Sequence, residues 1–122
     1  MKILLLATLC LLLYTLVVNC RQSDIPPSCN VSNPLEELDW LKAIVADTVA
    51  TKDQSLSIQQ ATYKNQTVYL VYITPGPDRG VTTLYDCQGT ALCKGYTTIA
   101  GLQTECKSVF NETQAGPVLY SR

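Results

Sequence analysis

The spacing of hydrophobic positions changes along the chain, and each spacing predicts a different kind of segment. From Ile3 to Val18 almost every residue is apolar and none is charged. Between residues 34 and 50 apolar side chains recur every three or four positions, which is the period of one helix face. From residue 55 onward apolar and polar residues alternate, as they do in strands that bury one face. The pattern therefore predicts an apolar leader followed by one small domain of helix and strand.

The segment over residues 34–50 is predicted to be an amphipathic helix. Asn33 precedes Pro34, a residue favoured at the first helical position, and Glu36 follows at the spacing of a capping box. Its apolar stripe consists of Leu35, Leu38, Leu41, Val45 and Thr48/Val49, widened by Trp40 and Ile44. Carboxylates in the first turn lie at the positive end of the helix dipole. We interpret the acidic residues there as stabilising the helix rather than as catalytic groups.

Four strands are predicted after the helix. They cover residues 55–63, 67–74, 81–86 and 90–93. Lys64-Asn65-Gln66 and Gln88-Gly89 supply tight turns, and residues 75–80 supply an exposed loop. The tail from Lys94 has no clear period and receives no assignment. The predicted fold class is α+β, with one amphipathic helix packed on a three- or four-stranded antiparallel meander.

The N-terminal segment has the features of a secretory signal. Lys2 precedes the apolar run, which is shorter than the ~20 residues that a membrane-spanning helix needs. Residues 1–20 are therefore predicted to be a signal peptide, with an uncleaved anchor helix as the alternative. The segment from Leu16 to Cys20 has the form of a bacterial lipobox, in which the cysteine receives a diacylglycerol and becomes the new N-terminus. Ordinary cleavage just after Cys20 is the competing interpretation.

The cysteines predict two disulfides in the mature chain. Residues 21–33 are polar and contain a Pro-Pro pair, so we interpret them as a tether ahead of a domain over residues 34–122. Cleavage removes Cys10, and Cys20 is then lipidated or lost. The remaining cysteines are Cys29, Cys87, Cys93 and Cys106. An even number in a small exported domain predicts disulfides, and spacing leaves every pairing open. We favour Cys29–Cys87 with Cys93–Cys106, because the first bond closes a long loop.

The composition argues against several classes of function. The chain has no histidine, which removes the commonest general base and the commonest zinc ligand. Cys87 and Cys93, the closest mature pair, are separated by five residues, which is wider than the usual spacing of zinc-binding pairs. A net charge of −1 without a basic cluster argues against nucleic acid as a partner. We expect no catalytic residue, metal or cofactor, and a protein that is not an enzyme.

Three tripeptides match the pattern for N-linked glycosylation. They begin at Asn30, Asn65 and Asn111, each in a predicted loop or turn. In a secreted eukaryotic protein all three would be glycan acceptors, whereas in most bacteria they would be silent. The tripeptides therefore support an alternative function, that of an extracellular, glycosylated binding module or inhibitor.

Several short motifs follow one another in a characteristic order. They are the lipobox Cys20, Pro26-Pro27-Ser28-Cys29, L-x-W-L-K from Leu38 to Lys42, the segment from Tyr63 to Tyr69, and Y-D-C-x-G-x-x-x-C from Tyr85 to Cys93. In this order the chain resembles small uncharacterised lipoproteins of Bacteroidota-type bacteria. The resemblance implies anchoring in the cell envelope through a lipid on Cys20. We expect attachment to the outer membrane, facing the periplasm or the exterior. We also expect a non-catalytic binding or structural role, with the protein or small-molecule ligand unknown.

Overall fold

A computed structural model describes residues 29–76 and 79–122. The predicted signal and the predicted tether up to Ser28 lie outside the described residues. Within those residues the chain forms three helices and six strands. In chain order they are α1 (Pro34–Glu37), α2 (Asp39–Ala50), β1 (Ser55–Tyr63), β2 (Gln66–Gly76), β3 (Arg79–Tyr85), β4 (Ala91–Thr98), β5 (Gly101–Gln103), α3 (Lys107–Glu112) and β6 (Gln114–Ser121).

The six strands form one antiparallel sheet in the order β5-β4-β3-β2-β1-β6. The first five strands are a meander, and β6 returns to pair with β1 at the opposite edge. Because alternate turns of a meander lie at the same end of the sheet, the β1–β2 and β3–β4 turns are neighbours. This end of the sheet also holds Cys29, which is bonded to Cys87 in the β3–β4 turn.

The predicted fold of one helix on a three- or four-stranded meander is wrong in its sheet. The sheet has six strands because the unassigned tail from Lys94 extends β4 to Thr98 and then forms β5 and β6. The same tail also forms α3, which packs through Val109 and Phe110 against the sheet. The tail therefore supplies both edge strands and the cover of one sheet face.

The single predicted helix over residues 34–50 is also wrong, because it is broken at Leu38. The backbone of Leu38 is extended, with φ −93° and ψ 103°, and separates α1 from α2. The Asn33 side chain makes no capping hydrogen bond, and the Glu37 carboxylate instead accepts from the Asn33 backbone N–H at 2.8 Å. The break allows both Leu35 and Leu38 to pack against the core. Packing against the core thus determines the geometry of this segment, and it overrides the local capping pattern.

The two sheet faces bury separate apolar clusters. The first cluster joins Leu41 of α2 to side chains of the sheet, which are Leu56, Ile58, Tyr69 and Val71. The second lies under α3 and consists of Ala61, Val68, Leu84 and Cys93. Alternation along β1 and β2 sends neighbouring side chains to opposite faces, so one strand contributes to both clusters. The sheet is therefore the central layer between a long and a short helix.

Two disulfides join Cys29 to Cys87 and Cys93 to Cys106, with Cα atoms 5.3 and 6.0 Å apart. This is the pairing favoured from the sequence. The first bond attaches Cys29, the first described residue, to the β3–β4 turn. The second attaches Cys93 in β4 to Cys106, which directly precedes α3. Disulfides persist in oxidising compartments, so the protein is secreted or belongs to the cell envelope. In the described ranges we find no helix with both the length and the apolar character needed to span a bilayer.

Tyr69 has a buried polar group that gives a testable prediction. Its side chain is fully buried, and its hydroxyl has no hydrogen-bond partner among the described residues. We predict that Tyr69→Phe raises the free energy of unfolding by about 1 kcal/mol, because it removes an unpaired polar atom from the core. Urea denaturation measures this change. Tyr96→Phe, at a side chain that is 53% exposed, is the matched control and should alter stability little.

The same residue should make stability sensitive to alkali. Burial raises the pKa of the Tyr69 hydroxyl above its ordinary value. The unfolded chain therefore loses this proton at lower pH than the folded one, and the free energy of unfolding should fall as the pH rises above about 10. Tyr69→Phe should lack this part of the fall. A variant that is less stable than the native chain, or equally sensitive to alkali, would contradict the assignment.

Candidate functional site

A cleft of about 610 Å³, which we name the terminal cleft, opens at the end of the sheet that carries the Cys29–Cys87 bond. Its walls come from three turns that are far apart in sequence. They are the Cys29-Asn30 turn, the Lys64-Asn65 turn and the Asp86–Gln88 segment. Tyr63, Val68 and Leu92 provide its apolar surface. The site therefore depends on the tertiary fold rather than on one continuous motif.

The β3–β4 turn is held by the side chain of Asp86. Its Oδ1 accepts from the backbone N–H groups of Gln88 and Thr90, both at 2.9 Å. The Asp86 N–H in turn donates to the Thr90 carbonyl at 3.0 Å. This is the local side-chain-to-backbone pairing that makes aspartate common in turns. The side chain of Gln88 remains exposed at the wall of the cleft.

Trp40 of α2 supports the same turn from beneath. Its indole N–H donates to the Cys87 carbonyl at 3.0 Å. Its ring centroid lies 5.8 Å from that of Tyr69 and 5.2 Å from that of Tyr85. Gly89 has φ +80°, and a Cβ placed there would lie 2.6 Å from the Trp40 ring. The turn thus has covalent, hydrogen-bonded and packing connections to the rest of the domain.

The other two walls present asparagines from left-handed turns. Asn30 has φ 58° and Asn65 has φ 59°, a conformation that asparagine tolerates better than most residues. Both side chains are exposed. The Lys64 ammonium lies 5.3 Å from the centroid of the Tyr63 ring, within range of a cation–π contact. The turn geometry accounts for asparagine at both positions without a modification.

A second cleft of about 670 Å³, the lateral cleft, runs beside β4 and the connection from β5 to α3. It passes over the Cys93–Cys106 bond, and the Thr104 hydroxyl donates to the Lys94 carbonyl at 2.8 Å. Exposed large apolar side chains gather on this part of the sheet. They are Leu92, Tyr96, Ile99 and Leu102. Of these four, Leu92 and Tyr96 line the lateral cleft itself.

The predicted site residues fall into three groups. Cys20 lies outside the described residues, so its lipidation stays a prediction. Asn30, Asn65 and Asn111 are all exposed; the first two line the terminal cleft, and Asn111 lies in α3. The four mature cysteines form the two disulfides. Within the described ranges, no three histidine, cysteine, aspartate or glutamate side chains gather in a group that could hold a metal ion.

Sequence reasoning missed Lys64, Asp86 and Gln88 as members of one site. Each lies in or beside a predicted turn, and the local pattern of one turn contains no information about the position of another. The topology of a meander carried the missing signal, because its first and third turns lie at the same end. A Cys29–Cys87 bond would add the start of the domain to that end. These two facts together would have located the terminal cleft.

Comparison with known protein families identifies a family for this chain. Residues 44–122 match the model of a family described as a domain of unknown function, DUF6970. The match begins within α2, includes the whole sheet and covers more than half of the chain. Searches of curated proteins and of solved structures found no match.

Proposed function

This chain belongs to the DUF6970 family, and we propose that it is a lipid-anchored protein of the cell envelope that acts as a non-catalytic binding module. The observation that supports this proposal best is the Cys29–Cys87 disulfide. It attaches Cys29, which lies within the predicted tether, to the β3–β4 turn of the sheet. The disulfide would shorten the free span between a lipid on Cys20 and the folded domain to the segment from Cys20 to Cys29. We place the protein on the outer membrane, facing the periplasm or the exterior.

The position of Cys29 would limit how far the terminal cleft could lie from the membrane. The span from Cys20 to Cys29 reaches at most about 30 Å when fully extended. The terminal cleft, which Cys29 lines, would therefore stay close to the lipid surface. The β4–β5 turn lies at the other end of the sheet, far from the attachment point at Cys29. A ligand of the terminal cleft would accordingly be held near the envelope.

Lipidation predicts a specific mass for the mature protein. Purified from its native host, the chain should begin at Cys20 and carry acyl chains, and reduction should add the hydrogens of two disulfides. Cys20→Ser should move the protein from the membrane fraction to the soluble fraction. Cys10→Ser, within the predicted signal, is the matched control and should leave the membrane fraction unchanged. A mature chain that begins at Arg21 without acyl groups would overturn the lipid anchor.

A second candidate function rests on the exposure of the three acceptor asparagines. Asn30, Asn65 and Asn111 are all accessible on the folded domain, as a secreted eukaryotic glycoprotein would require. That protein would show a heterogeneous mass that collapses on enzymatic removal of N-linked glycans. Glycans on Asn30 and Asn65 would project from the terminal cleft and obstruct it. A glycosylated binding module or inhibitor would therefore act through another surface.

A further inference from the structure

We propose that the terminal cleft binds a neutral saccharide. The inference rests on the proposed binding function and specifies its ligand. It depends on four properties of the cleft: the donors and acceptors on its walls, its balance of charge, its apolar patches and the rigidity of its turns.

The walls are rich in side-chain amides. Four of them, all exposed, belong to Asn30, Asn65, Gln66 and Gln88. Each amide carries two N–H donors and a carbonyl acceptor in one plane. A sugar hydroxyl also donates and accepts, and neighbouring hydroxyls on a ring present both functions side by side. Side-chain amides therefore match a polyhydroxylated ligand better than carboxylates, which only accept, or ammonium groups, which only donate.

The charges in the cleft favour a ligand without net charge. Its walls carry one cation, Lys64, and one anion, Asp86. Asp86 Oδ1 is already occupied by two backbone N–H groups. A strongly anionic or cationic ligand would meet no surplus of opposite charge here. A neutral ligand costs less free energy to remove from water than a charged one. It can still accept a hydrogen bond from the Lys64 ammonium.

Size, apolar surface and rigidity are consistent with this ligand. A volume of about 610 Å³ lies within the range of small-molecule sites. Tyr63 and Leu92, the latter 41% exposed, offer apolar contact for the C–H groups of a sugar ring. The disulfide and the Asp86 hydrogen bonds fix two of the three walls before a ligand arrives. Binding would therefore lose little free energy through ordering of the protein.

The test is a titration of the ¹⁵N-labelled mature chain, kept in a detergent without sugar groups. Cellobiose and N,N′-diacetylchitobiose are added separately to about 20 mM, a range that detects millimolar affinity. We expect saturable shifts of the side-chain amide signals of Asn30, Asn65 and Gln88. The Asn111 amide, on α3, should not move. Gln88→Ala should weaken binding about tenfold, because a hydrogen-bonding group is removed from the wall.

The controls separate binding from folding. Gln88→Ala keeps the backbone N–H that donates to Asp86, so the turn and the thermal stability should be retained. Gln103→Ala removes an exposed amide from the lateral cleft and should leave the affinity unchanged. An absence of shifts with both sugars, or a Gln88→Ala variant that binds normally, would overturn the saccharide site. Neither result would change the mass expected for the lipidated protein. The proposal of a lipid anchor and the proposal of a saccharide site are therefore tested independently.

Discussion

Removal of the Cys29–Cys87 disulfide should lower the free energy of unfolding by about 4 kcal/mol, the largest loss that we expect in this domain. The bond joins residues 58 apart in sequence, and the entropy that a cross-link removes from the unfolded chain grows with the length of its loop. The double variant Cys29→Ser/Cys87→Ser tests this, with urea denaturation as the measurement. Its unfolded chain should also expose more surface to solvent and give a steeper denaturant dependence.

The second disulfide supplies the matched control. Cys93 and Cys106 are 13 residues apart, so Cys93→Ser/Cys106→Ser should cost about 3 kcal/mol on the same entropic grounds. Both variants replace two half-buried or buried cysteines with serine, which makes the comparison fair. A larger loss in the short-loop variant would contradict the entropic account. It would show instead that the attachment of α3 to the sheet determines the stability.

The N-terminal half of the sheet could be predicted because its signals are local. Residues 55–63 were predicted as a strand, and β1 occupies the same residues. The Lys64-Asn65 pair forms the turn between β1 and β2, and its two left-handed residues suit a tight two-residue hairpin. Each hairpin is specified by alternation within its strands and by turn residues between them. No distant part of the chain is needed to recognise these elements.

The return strand β6 could not be predicted, because its local pattern argues against a strand. Gly116-Pro117 interrupts the alternating pattern of this segment. Proline has no backbone N–H to donate to the hydrogen-bond ladder of a central strand. An edge strand tolerates both residues, and the β1–β6 ladder has irregular register near them. A Cβ on Gly116 would lie 2.8 Å from the Gln60 carbonyl oxygen. The glycine therefore reflects close approach to β1, a contact that no local window of sequence contains.

The same limit applies to α3 and to the broken helix. Gly95 lies inside β4, where glycine is unfavourable by local propensity, and the side chains of Leu102 and Phe110 pack over it. The apolar period continues through Leu38, yet the helix is interrupted there. The direction of the first helical turn is decided by the packing of Leu35 and Leu38 against the core. In each case a tertiary contact overrides the local propensity.

The candidate site was predictable only in pieces. The turns at Lys64-Asn65 and Gln88-Gly89 were recognised, and Cys29–Cys87 was the favoured pairing, but their meeting in one cleft follows from topology. Asn30 and Asn65 were first noted as glycan acceptors. In the structure the same two side chains are also exposed amides on the walls of one cleft. One residue type thus supports two interpretations, and the saccharide titration and the mature mass distinguish them.

Gly89→Ala should destabilise the domain by about 3 kcal/mol, because it combines two separate costs. An alanine at φ +80° is strained by roughly 1–2 kcal/mol. The added Cβ would also lie 2.6 Å from the Trp40 ring, and displacement of a packed ring costs about 1–3 kcal/mol. Trp40 is the one tryptophan of the chain, so its fluorescence reports the displacement directly while urea denaturation measures the loss.

Gly101→Ala separates the two costs. Gly101 also has a left-handed backbone, with φ +100°, but a Cβ there would have no atom within 4 Å. Its substitution should therefore carry the strain alone, cost about 1–2 kcal/mol and leave the tryptophan fluorescence unchanged. An equal loss of unfolding free energy in the two variants would show that the Trp40 ring moves away from the new methyl group at little cost. The β3–β4 turn would then not depend on the indole beneath it, and the rigidity of that wall of the terminal cleft would rest on Asp86 and the disulfide.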